Sequence, residues 1–170
     1  EWGGIDEGIQ ETVSALNALG ITTTGSCEGH TDRSAPAPWV KVTASDKPRD
    51  VAHDSKAYRN WQLENKRLCE KTLKLLNEFY SNRDVTPDVR IVIDDTAHAG
   101  FWIHNGGDVY DRWRELVAET VAKRQRGEEI RGGISAEENE RRLQTLPQYQ
   151  KEMRAFAKFL KGKHSSSPAR

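Results

Sequence analysis

The chain has 170 residues, 35% of them apolar and 31% charged, and carries five Trp, four Tyr and four Phe. A chain of this length and aromatic content can bury a core without disulfide or metal support, which excludes an intrinsically disordered polymer. Lys plus Arg and Asp plus Glu balance at 26 each, so net charge gives no global signal for nucleic acid or an anionic membrane.

Ile5, Ile9, Val13, Leu16 and Leu19 recur at helical spacing, Asp6 stands where it can cap the first turn, and Gly20 stands where such a helix ends. The β-branched run Ile21-Thr22-Thr23-Thr24 predicts a strand. Ser26-Cys27-Glu28-Gly29-His30 and a loop ending in Pro36-Ala37-Pro38 follow, and Trp39-Val40-Lys41-Val42-Thr43 then alternates as a half-buried strand does. Residues 44–54 read as loop. Ser55 to Tyr80 predicts a long helix, with Tyr58, Trp61, Leu68, Leu75 and Phe79 in one apolar row and Cys69, Leu73, Leu76 and Tyr80 in the next. Two adjacent rows make a stripe broad enough to lie across a sheet.

Val89-Arg90-Ile91-Val92-Ile93-Asp94 is the strongest strand pattern. Asp95-Thr96-Ala97-His98 turns the chain, and Gly100-Phe101-Trp102-Ile103-His104 returns as a hairpin partner. After Asn105-Gly106-Gly107, Asp108 caps a helix carrying Tyr110, Trp113, Val117 and Val121, which Gly127 closes. Ser135 and Glu138 form a capping box, and Pro147 is expected to interrupt the helix begun there. Tyr149, Met153, Phe156 and Leu160 then form one apolar stripe, and the Ser-rich basic tail is expected to be disordered.

Paired strands alternating with helices predict an α+β fold, a small antiparallel sheet of about four strands covered by helices. The expected organisation is a core domain over 1–128, a helical C-terminal arm over 129–162 and a disordered tail over 163–170. Two cysteines, Cys27 and Cys69, make no disulfide framework, so a reduced cytoplasmic compartment is the expectation. No apolar run approaches the roughly 18 residues of a spanning helix and no signal-peptide pattern is present, so no membrane partner is expected.

The stretch that can carry chemistry is Ser26-Cys27-Glu28-Gly29-His30, a thiol, a carboxylate and an imidazole flanked by Gly25 and Gly29. Cys27 and His30 have C-x-x-H spacing, so both can reach one metal ion, with zinc the ion considered; two further ligands, or a ligand and a water, are then needed. His98 and His104 of the hairpin, beside Asp94 and Asp95, are the candidates to complete such a site. The alternative chemistry makes Cys27 a thiolate nucleophile, His30 its base, and Glu28 or a hairpin Asp the group that orients the imidazole. The competing reading is a structural turn in which Cys27 is a small buried residue and Glu28 is solvated. Asn105-Gly106-Gly107 at a helix start is a weak phosphate motif, because Asp108 and Asp111 already place negative charge there.

Thr23-Thr24-Gly25-Ser26-Cys27-Glu28-Gly29-His30 after a helix resembles, over this short stretch alone, the Ser-Cys-x-Gly-basic signature of the wybutosine-synthesising tRNA methyltransferases. His30 stands where that family has Arg, and no fold, activity or residue role is carried over. The functional expectation is therefore a small protein with a ligand, metal or catalytic site around Cys27 to His30, with hydrolysis or group transfer as the chemistry, since no dinucleotide fingerprint is present. The other expectations are an interaction module whose helical arm meets a protein partner or a second copy, and a nucleic-acid binder using the basic segment from Lys151 to Arg170.

Overall fold

The computed structural model describes residues 4–32, 35–49, 52–94, 100–128 and 134–165. In chain order these form α1 (Glu7–Ala18), β1 (Thr23–Cys27), β2 (Trp39–Val42), α2 (Lys56–Tyr80), β3 (Ile91–Asp94), β4 (Phe101–Asn105), α3 (Asp108–Gln125) and α4 (Ala136–Ser165). The strands make one antiparallel sheet in the order β1-β2-β4-β3. The fold is α+β, with a C-terminal helix.

Register sets which face is the core. Val40 opposes Ile103, Ile103 opposes Ile93, and Val42 opposes Phe101. Directly opposed residues of an antiparallel ladder point the same way, so these side chains share a face. Against it pack Ile9, Val13 and Leu16 of α1, Trp61, Leu68, Leu76 and Phe79 of α2, and Met153, Phe156 and Leu160 of α4. The stripe of α4 thus covers this chain's own sheet and α1. Trp39, Lys41, Trp102 and His104 occupy alternate positions and face the other side, where Tyr110 of α3 stacks on His104. A second cluster there joins Ala37, Val109, Tyr110 and Tyr149.

Local signals explain most boundaries. α1 closes with Gly20 N–H on Asn17 O and Ile21 N–H on Leu16 O, a paired C-terminal cap. Ser55 Oγ accepts the Tyr58 N–H at 3.1 Å and starts α2, and Ser135 Oγ does the same for Glu138 N–H at α4.

Three expectations are corrected. The first strand is Thr23–Cys27, so Gly25, Ser26 and Cys27 lie within the sheet. Ile21 is consumed in the cap of α1, and the ladder to β2 runs on to Cys27↔Trp39, with an irregularity between Thr23 and Gly25. Pro147 lies inside α4, which continues through it; a proline forfeits one hydrogen bond, and here the buried stripe on either side holds the helix together. Asp108 is the first helical residue of α3, and the cap is Gly107. α4 runs through Ser165 and so takes in the first three residues of the expected disordered tail, and the rest of that tail, from 166 onward, lies outside the described residues. No helix among the described residues is long and apolar enough to cross a membrane.

Candidate functional site

Asp6 immediately precedes α1, and Cys27 is the last residue of β1. The cap of α1 reverses the chain, so β1 returns along the helix it packs on, and its end meets the helix start. Gly29 then turns the chain back at a φ of +80°. A Cβ there would lie 2.7 Å from Leu146 Cδ1 and 2.9 Å from the Ala37 carbonyl carbon, so both conformation and space require glycine. The turn brings His30 to the same point.

One carboxylate oxygen of Asp6, the Sγ of Cys27 and one ring nitrogen of His30 all lie within 4.8 Å of one another. His30 Nε2 is 3.7 Å from Asp6 Oδ2. Cys27 is 5% exposed, while the side chains of His30 and Asp6 are 14% and 35% exposed. The group is closed on the thiol side and open on the carboxylate side. Backbone donors address both the carboxylate and the sulfur: Glu28 N–H donates to Asp6 Oδ2 at 3.2 Å and Gly29 N–H to Cys27 Sγ at 3.4 Å.

Glu28 itself faces elsewhere. Its Oε2 accepts the Gly8 N–H at 2.8 Å, in the first turn of α1, where a carboxylate complements the helix dipole. A Cβ on Gly8 would come within 2.5 Å of that oxygen. The carboxylate beside the imidazole is Asp6, whose side chain makes no cap hydrogen bond to α1.

α4 braces the loop from behind. Gln150 Nε2 donates to Glu28 O at 3.1 Å and Arg142 Nη1 to His30 O at 3.4 Å. Arg142 is 2% exposed and its Nε pairs at 3.0 Å with Glu138, also buried.

Of the residues expected at the site, the structure brings Cys27 and His30 together. Cys27 opposes Trp39 and Trp39 opposes His104, so two interstrand steps, about 10 Å, separate Cys27 from His104. The His104 ring instead stacks on Tyr110 with centroids 3.8 Å apart, and its Nδ1 lies 2.8 Å from Asn105 O. Burial lowers its pKa from the ordinary 6.5. Asp94 pairs with Arg114 at 3.0 Å. His98 and Asp95 lie outside the described residues. Sequence reasoning assigned Asp6 only to a helix cap; no local pattern links it to a loop so distant in sequence.

A thiolate, an imidazole and a carboxylate form a mixed S, N and O donor set, which suits zinc better than the all-oxygen shells of magnesium or calcium. The thiolate and carboxylate together would neutralise a divalent ion. No protein-family model, curated protein or solved structure matches the chain.

Proposed function

We propose that this protein holds a zinc-class divalent ion through Asp6, Cys27 and His30, and uses the remaining place in a tetrahedral shell for water or substrate in a hydrolytic or group-transfer reaction. The observation that carries this reading is the convergence of three different donor atoms within 4.8 Å. Three protein ligands plus an open position is the pattern of catalytic zinc sites, whereas structural sites are closed by four protein ligands. The bound ion would supply Lewis acidity. The chain's own residues supply the rest: the Glu28 and Gly29 amides hold the anionic donors in place, and Asp6, on the more exposed side, marks the direction of approach.

The contact of 3.7 Å between Asp6 and His30 also suits a second reading, in which Asp6 orients His30 as the base for a Cys27 nucleophile. Alkylation of Cys27 in a Cys69→Ala background separates the two. In the metal reading, the zinc-loaded protein is protected, and chelation releases the thiol to the reagent. Rapid labelling without chelator that is lost in His30→Ala supports the nucleophile. Labelling that is indifferent to chelator, zinc and His30 contradicts both.

A further inference from the structure

A second site lies on the opposite side of the sheet from the core. A cleft of about 550 Å³ opens between β3, β4 and α3, lined by Val92, Ile93, Asp94, His104, Asp111 and Arg114. That volume falls within the roughly 300–1,000 Å³ range of small-molecule sites. One of its lining residues, His104, is 3% exposed, and its buried Nε2 has no hydrogen-bond partner among the described residues. Buried polar atoms are nearly always paired, and an exception in a cleft wall points to a ligand.

The chemistry of the cleft narrows that ligand. The partner of His104 Nδ1 is the Asn105 carbonyl, which only accepts, so Nδ1 carries the proton and Nε2 presents a lone pair. The ligand must therefore bring an N–H or O–H donor. Asp94 and Arg114 form an ion pair at 3.0 Å, and Asp111 adds a second carboxylate. The cleft thus offers a negative end rich in acceptors next to one guanidinium, which is half-exposed and has more donors than Asp94 uses. A simple anion would meet two carboxylates, and a simple cation would leave the guanidinium unused.

We infer that this cleft binds a small zwitterion, with its primary ammonium directed to His104 Nε2 and the carboxylates of Asp94 and Asp111 and its anionic group directed to Arg114. Val92, on the same face as His104, provides apolar surface for the carbon skeleton joining the two charges. Free α-amino acids are the simplest members of this class. The inference does not depend on the Asp6, Cys27 and His30 group, which lies two strands away.

The test is imidazole 15N NMR of the full chain, with the His104 signals assigned by His104→Phe. The free L-amino acids serve as probes, and methylamine and acetate as singly charged controls. At least one amino acid should shift the Nε2 resonance saturably with a Kd of about 1 mM or tighter, the controls binding about tenfold more weakly or worse. Arg114→Ala, on a half-exposed side chain, should weaken binding about tenfold with the melting temperature retained, and Asp111→Asn should weaken it less. Cys27→Ser should leave binding unchanged. No saturable shift with any amino acid, equal binding of acetate or methylamine, or binding indifferent to Arg114→Ala would each overturn the assignment.

Discussion

Asp6 and Glu28 each serve the other's segment: the Glu28 amide donates to Asp6 Oδ2 at 3.2 Å, and the Glu28 carboxylate accepts from Gly8 at 2.8 Å in the helix that Asp6 precedes. The crossing ties the start of α1 to the end of β1 and leaves the Asp6 carboxylate beside His30. The two acids should therefore separate on mutation. Glu28→Ala should cost about 1 kcal/mol of stability through the lost cap and change zinc affinity little. Asp6→Asn should leave the melting temperature nearly unchanged and weaken zinc binding by tenfold or more. Urea denaturation and zinc titration of both variants check this, and equal effects on affinity would contradict it.

The bracing by α4 makes Arg142 a positioning residue. It holds the loop at the His30 carbonyl, so its loss should act on the site through loop geometry. Arg142→Lys, which keeps the charge that Glu138 requires, should lower zinc affinity severalfold while the far-ultraviolet circular dichroism stays native. Arg142→Ala should cost about 3 kcal/mol by leaving the buried Glu138 with only the half-exposed Arg112, 3.8 Å away, as its cation. A lysine variant with unchanged affinity would remove Arg142 from the account of the site.

His104 makes stability depend on pH with a definite sign. Burial lowers its native pKa below the ordinary 6.5. The unfolded chain therefore takes up this proton first on acidification. The contribution of the neutral buried imidazole is complete above about pH 6.5 and declines as pH falls below that value until the native pKa is reached. Urea midpoints measured from pH 8 to 5 should fall through this window, and His104→Phe should flatten the fall. A wild-type midpoint that rises on acidification there would contradict the assignment.

Much of the helical layer was legible because its causes are local. Gly20 closes α1, Ser55 starts α2, and the spacing of Met153, Phe156 and Leu160 marks the buried face of α4. What escaped was nonlocal. The extent of β1 depends on its partner strand, which draws Gly25 to Cys27 into the ladder although the β-branched run lies earlier. The continuity of α4 through Pro147 depends on burial that no propensity encodes. Cys27 and His30 stand out because they are close in sequence, while Asp6 reaches them only through the reversal of the chain after α1.

The α4 stripe gives a further prediction. Phe156 is fully buried in the main core cluster, with its ring 5.2 Å from that of Phe79 of α2. Phe156→Ala should cost about 3–5 kcal/mol in chemical denaturation. A loss below about 1 kcal/mol would mean that α4 does not cover the core.

Cobalt titration of the metal-free protein tests the central claim most directly, because cobalt(II) substitutes for zinc and reports its ligands by absorption. The account predicts one equivalent bound per chain, a near-ultraviolet sulfur-to-metal charge-transfer band, tetrahedral visible bands, and displacement of all of these by zinc. Cys27→Ser should abolish the charge-transfer band, and His30→Ala and Asp6→Asn should each weaken binding by tenfold or more. Cobalt binding without a sulfur band, or a sulfur band that persists in Cys27→Ser, would contradict the account.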